Sequence, residues 1–208
     1  MKKLIVFDLD GTLNQTKLYA VKATQKALAE YGITDKSEEE IISYFGARPE
    51  DYAKHYFSDP QTQQAFLKSC AQYESQLIQT LGKPFDGISE LLNKLKSEQY
   101  LLAICSNSSH RYITMVLDTL HLLEQIDYIQ PLLPNLIKDD TLRLLLQQVC
   151  PDKAVMIGDR IYDKQAANHN QIPFIGCGYG YNRTEILDAD FVAEVPLDIY
   201  DGIKQLIG

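Results

Sequence analysis

No apolar run in the 208-residue chain approaches the ~20 residues of a membrane span. Basic residues are scarce beside acidic ones: 20 Lys+Arg face 28 Asp+Glu, for a net charge of −8. That balance argues against general binding to nucleic acid or to an anionic membrane surface, both of which need basic patches. It leaves open a small anionic substrate, which one local cluster can hold. Cysteine is sparse as well. Cys70, Cys105, Cys150 and Cys177 are widely spaced with no CxxC pair, so no zinc or redox motif is present. Three of them sit among apolar neighbours and read as buried free thiols, which points to a reducing cytoplasm. There is no internal repeat and no low-complexity segment. Met1–Phe7 opens like a signal peptide, but the apolar run is too short and Asp8 and Asp10 interrupt it. It reads as a buried first strand. The length suits one large domain, or one domain with a smaller insert.

Short apolar runs at Leu4–Phe7, Leu101–Cys105, Val155–Ile157 and Ile172–Ile175, with a weaker one at Phe191–Ala193, predict buried strands. Helical faces lie between them. Ile88, Leu91, Leu92 and Leu95 share one, Ile113, Val116, Leu117 and Leu120 a second, and Leu142, Leu145, Leu146 and Val149 a third. Strands alternating with such helices predict an α/β fold, a doubly wound parallel sheet covered on both faces. Residues 14–86 break the alternation. Leu18, Val21 and Leu28 suggest a helix that Gly32 stops. Ser37-Glu38-Glu39-Glu40 is a capping-box pattern. Pro49 suits the first turn of another helix. Phe66, Cys70, Tyr73, Leu77 and Leu81 repeat along a longer one. No strand is expected there, so this stretch is an all-helical insert.

In a doubly wound sheet, ligands bind beyond the carboxyl ends of the strands. Asp8-Leu9-Asp10-Gly11-Thr12 follows the first strand, Ser106-Asn107-Ser108-Ser109 the second run, and Gly158-Asp159-Arg160-Ile161-Tyr162-Asp163 the third. Asp, Ser and Gly are also ordinary loop and N-cap residues, which leaves Asn107, Ser108 and Ser109 open. Asp8 and Asp10 are different, because they directly continue an apolar strand. Carboxylates packed that closely repel, and a cation resolves the conflict. Asp159, with Asp163, adds further oxygen ligands. An all-oxygen set suits Mg²⁺, and the Cys/His set that zinc prefers is missing.

Asp8-Leu9-Asp10-Gly11-Thr12-Leu13 closely resembles the first motif of the haloacid dehalogenase-like hydrolase superfamily. Ser106-Asn107 resembles the second motif, Lys138 the third, and Gly158 through Asp163 the fourth, in order and spacing over essentially the whole chain. The helical insert resembles the C1 cap of the phosphoglycolate phosphatase-like branch. The resemblance implies a Rossmann-like core (1–13 and 87–208), a helical cap (14–86), and a phosphatase acting on a small phosphate ester. Asp8 would be the nucleophile, forming an aspartyl-phosphate. Asp10 would be general acid and then general base. Asp8, the backbone carbonyl of Asp10, Asp159 and Asp163 would hold Mg²⁺. Ser106 and Lys138 would bind the transferring group, with Gly11, Thr12 and Asn107 also against the substrate.

The match has departures. Lys138 is followed by Asp139 and Asp140 rather than proline, and either suits a helix cap. Gln15 replaces an acidic residue common after the first motif. Asn170 stands at a helix end, where it suits the left-handed cap conformation. Arg160 occupies a variable position and reads as exposed. The four histidines are scattered and read as surface or packing residues. In the insert, 8 Lys+Arg against 10 Asp+Glu do not make a basic clamp. Tyr44 and Arg48 flank Gly46 and are candidate substrate contacts, Arg48 because a guanidinium binds carboxylate or phosphate well. The alternative is that Tyr44 packs and Arg48 is solvated. Asp10 argues against dehalogenation, which needs no acid. A sugar-phosphate mutase on the same core is the alternative activity, and Thr12 votes weakly for hydrolysis. A non-catalytic binding protein would not require this full set.

Overall fold

The computed structural model describes residues 1–208. Six strands form one parallel sheet: β1 (Lys3–Phe7), β2 (Leu101–Cys105), β3 (Tyr128–Gln130), β4 (Lys153–Gly158), β5 (Phe174–Cys177) and β6 (Phe191–Ala193). Their order is β3-β2-β1-β4-β5-β6. The chain turns from building one side of the sheet to building the other between β1 and β4, and the crevice of such a sheet opens there. β1 registers Leu4 against both Leu101 and Ala154.

Alternation along β1 feeds two cores. Ile5 and Phe7 point to one face, with Leu91, Leu92, Ile113, Val116 and Ile203. Leu4 and Val6 point to the other, with Leu142, Leu145, Ala166 and Phe174. The first face is covered by α5 (Ile88–Ser97), α6 (His110–Thr119) and α9 (Asp198–Ile207), the second by α7 (Lys138–Val149) and α8 (Ile161–His169). A strand buried on both sides has to be apolar throughout, and for that reason Leu4–Phe7 reads as a run rather than an alternation.

Between β1 and α5 lie only helices: α1 (Lys17–Ala29), α2 (Glu38–Ser43), α3 (Pro49–Tyr56) and α4 (Pro60–Leu81). Ser37 Oγ accepts the Glu40 N–H at 3.2 Å, which caps α2, and Pro49 opens α3. The layer leaves and rejoins the sheet side by side, through a bridge of Asn14 with Pro84. Its own small core holds Ala27, Leu28, Ala53, Phe66 and Cys70. Phe66 is fully buried against the rings of Tyr52, Tyr56 and Phe57, at centroid distances of 5.8, 5.6 and 5.2 Å. Phe66→Ala is expected to cost about 3–5 kcal/mol, the scale of emptying a buried aromatic site, measured as a loss of urea-unfolding free energy.

Three expectations need correction. β3 is a sixth strand that no apolar run announces. β5 begins at Phe174, because the Ile172 N–H is used to close the end of α8 on Ala167 O (3.1 Å). The left-handed step at that helix end falls on Gln171 (φ +56°), one residue after Asn170, whose φ is −95°. Asn170 instead caps with its side chain, donating to Ala166 O and Asp139 O at 2.8 and 3.0 Å. Of the cysteines, Cys70, Cys105 and Cys177 are buried and Cys150 is exposed, all free thiols. No helix is long and apolar enough to cross a membrane.

Candidate active site

Asp8 prolongs β1, its N–H bonded to Ile157 O of β4 at 2.8 Å. The chain then breaks at Gly11, whose φ of +86° favours glycine. A Cβ there would also collide with the Asp159 carboxylate and the Tyr181 ring. The close approach of the two strand ends therefore depends on this glycine. Asp159 follows β4 directly, and Asp163 sits in the first turn of α8, where its carboxylate accepts the Arg160 N–H at 3.0 Å. Carboxylate oxygens of Asp8, Asp159 and Asp163 all lie within 4.8 Å of one another.

Lys138, the first residue of α7, enters this cluster from the other side. Its Nζ donates to Asp8 Oδ1 at 2.5 Å and to Asp163 Oδ1. Asp8, Lys138, Asp159 and Asp163 are all buried. Burial works against the Lys138 ammonium, but Asp163 and Asp8 outweigh it and hold the pKa above the ordinary lysine value. Burial pushes the Asp8 carboxyl up to about 7, against the pull of Lys138 and with the repulsion of Asp163. Asp159 is raised well above the carboxylate range by burial and by Asp8 and Asp163. Its Oδ2 accepts the Tyr181 N–H at 2.7 Å, while its Oδ1 is buried with no hydrogen-bond partner. One ammonium does not balance three carboxylates, and an orphaned buried oxygen is costly. The set fits a hard divalent cation bound by oxygen alone.

Asp10 stands apart from this cluster, although only two residues from Asp8. Its Oδ1 accepts from Thr16 Oγ1 (2.5 Å), Asn14 Nδ2 (3.0 Å) and Tyr112 OH (3.0 Å). Its Oδ2 meets only Ser108 Oγ, at 3.5 Å. Burial raises its pKa despite those three bonds. Tyr112 is tied in turn to Tyr19, OH to OH at 2.8 Å. Thus α1 and α6 share in holding one carboxylate.

The other predicted residues are distributed as follows. Ser106 is buried after β2, its Oγ accepting the Ser108 N–H at 3.2 Å. Ser109 caps α6, whereas Ser108 reaches towards Asp10. Asn107 Nδ2 donates to Gly46 O at 2.9 Å, and its Oδ1 is buried without a partner. Thr12 is buried, with Oγ1 unpartnered and its carbonyl accepting Tyr179 OH at 3.0 Å. Tyr44 and Arg48 separate. Tyr44 lines the cavity described below and bonds His55 Nδ1 through its hydroxyl at 2.7 Å. Arg48 does not line that cavity, and its Nε lies 3.6 Å from Glu50. Asp140 caps α7 by accepting the Ile137 N–H at 3.3 Å.

Arg160 is buried, not exposed. Its guanidinium pairs with Glu185 at 2.9 Å and donates to Phe45 O and Ser43 O (3.1 Å) behind α2. No local pattern announces this, because its partners are Glu185, 25 residues on, and backbone carbonyls more than a hundred residues away. Nor does the sequence single out Tyr112 or Glu74.

A cavity of about 280 Å³ opens between the sheet edge and the helical layer. Asp10, Ser108 and Tyr112 form its floor, and Tyr44, Tyr52 and Glu74 are among the residues of its other walls. An acidic, oxygen-donor centre at the switch point of a doubly wound sheet, beside a small pocket roofed by helices, defines a class of hydrolytic enzyme. The chain belongs to the haloacid dehalogenase-like hydrolase family, whose model matches residues 5–177. It is 29% identical to a phosphoglycolate phosphatase of Thiobacillus denitrificans over 93% of this chain and 91% of that one. It is 26% identical to the phosphoglycolate phosphatase of Aquifex aeolicus, over 95% and 94%. A haloacid dehalogenase-like hydrolase structure from Streptococcus pneumoniae shares the fold, with a TM-score of 0.87, 24% identity and coverage of 97% and 98%.

Proposed function

We propose that the protein is a Mg²⁺-dependent phosphatase that hydrolyses a small phosphorylated metabolite through an aspartyl-phosphate on Asp8. The observation that carries this reading is the contrast between two carboxylates two residues apart. Asp8 is bonded to a buried ammonium among further carboxylates, and Asp10 is turned into a cavity with its Oδ1 saturated by donors. Pairs of carboxyl groups with such divergent surroundings are how acid and base roles are divided.

In this reading an oxygen of Asp8 attacks phosphorus and the bond to the leaving oxygen breaks. The raised pKa of Asp10 keeps a proton available, and its Oδ2, free of strong donors, delivers that proton to the departing alkoxide. Asp10 then takes a proton from the water that attacks the acyl-phosphate, which releases phosphate and restores Asp8. Lys138 and Ser106 hold the oxygens of the transferring group. Asp8, Asp159, the Asp10 carbonyl and Asp163 would hold Mg²⁺, whose charge offsets the repulsion between a carboxylate nucleophile and an anionic phosphate. Residues 14–86 act as the cap and 1–13 with 87–208 as the core, in a protein at home in a reducing cytoplasm.

The test is release of inorganic phosphate from a panel of small phosphate esters. EDTA is expected to lower the rate by about 100-fold or more, since the ion is worth several kcal/mol of charge stabilisation, and excess Mg²⁺ to restore it. Release indifferent to chelation would remove the metal from the reading.

A further inference from the structure

The cavity contains no lysine, arginine or histidine. Its two carboxyl groups are Asp10, at the core end, and Glu74, on α4. The cations around the site are engaged: Lys138 lies between Asp8 and Asp163, and Arg160 is bound to Glu185 and to carbonyls behind the loop. Arg48 does not line the cavity; its Nε is buried without a hydrogen bond, 3.6 Å from Glu50. An anionic leaving group would therefore enter a pocket lined by no cationic side chain and by an acidic one, Glu74.

Glu74 is the unexplained group. It is half-buried in the middle of α4 and draws no hydrogen bond and no ion pair from the protein. Burial and the neighbouring Asp10 push its carboxyl up to about 8, the direction expected of an acid that lacks a counter-charge. The rings of Tyr44, Phe45, Tyr52 and Tyr112 line the same space. A carboxylate among aromatic faces is complementary to an ammonium, which gains from the charge and from the ring quadrupoles. The volume, about 280 Å³, suits a small-metabolite leaving group.

We propose that the substrate is a phosphate monoester of a small amino alcohol, its ammonium held by Glu74. The proposal rests on the phosphatase reading of Asp8 and Asp10 and adds to it the class of leaving group. The two cavity acids then have separate roles, with Asp10 supplying the proton and Glu74 receiving the amine.

The experiment compares kcat/KM for O-phosphoethanolamine, glycerol 3-phosphate and 2-phosphoglycolate, with p-nitrophenyl phosphate as an activated ester. The expected order is amine, then neutral, then carboxylate ester. Glu74→Gln is expected to reduce the preference of the amine over the neutral ester by about ten- to a hundredfold, the worth of one charge-assisted bond. Glu74→Lys is expected to move the preference towards 2-phosphoglycolate. A wild-type enzyme that prefers 2-phosphoglycolate, or one that hydrolyses p-nitrophenyl phosphate but none of the three, overturns the proposal without any variant having to fold. An amine preference unchanged in Glu74→Gln overturns the assignment of Glu74. Failure to hydrolyse even p-nitrophenyl phosphate with Mg²⁺ present sinks the underlying reading of Asp8 instead.

Discussion

Asp8→Asn is expected to fold and to release no measurable phosphate, a loss of about 10⁴-fold or more, the scale of removing a nucleophile from a concerted site. The amide is nearly isosteric with the carboxylate and Lys138 keeps Asp163 as a partner. Stability should not suffer either. The folded state raises the Asp8 pKa from 3.8 to about 7, so it disfavours the ionised form. The native chain binds more protons than the unfolded one between those values, and stability declines as pH rises through that window. Above it the whole penalty is present, and a neutral side chain does not incur it. At pH 8 and without metal, Asp8→Asn should therefore melt no lower than the wild type, as followed by circular dichroism. A fully active variant would remove Asp8 as nucleophile. An inactive and unfolded one would show that the cluster is needed for folding first.

Asp10→Asn separates acid catalysis from the rest. The side-chain oxygen of asparagine still accepts from Thr16 and Tyr112, as Asp10 Oδ1 does now, so the local network survives. The proton donor does not. Alkyl esters, whose alkoxides leave badly, should slow by about 10²–10⁴-fold, the range of general acid catalysis. p-Nitrophenyl phosphate, whose leaving group needs little help, should slow much less, with the remaining loss in the second step, where water needs a base. Steady-state rates across a series of leaving-group pKa values give the readout, as a steeper dependence in the variant. Equal losses for good and poor leaving groups would rule out the acid role.

The parts of this molecule legible in the sequence are those where one segment carries its own reason. β1, β2 and β4 lie in the middle of the sheet and must be apolar on both faces, so they stand out as runs. α5 and α6 each bury one stripe and show it at helical spacing. Asp8 and Asp10 stand out because charge directly after such a run needs a cause. β3 fails the same test: three residues at the sheet edge, two of them only half-buried, require no apolar run. Arg160 fails because its environment is supplied by carbonyls of α2 and the loop after it. Glu74 fails because helical periodicity sorts residues by face without saying what faces them. Tyr44 and Arg48, two halves of one sequence argument, end up in different surroundings for the same reason.

Arg160 also ties the core to the loop that roofs the pocket. The residue adjoins Asp159 in sequence, yet its guanidinium fastens Ser43 O and Phe45 O, while Asn107, beside Ser106, fastens Gly46 O. The roof over the pocket is thus clasped by the two turns on which Asp159 and Ser106 also lie. Lifting that roof means unfastening both clasps, and each donor released must be met by water. Were the loop at Ser43–Gly46 to lift, the turns bearing Asp159 and Ser106 would lose these outer hydrogen bonds and regain them on closure.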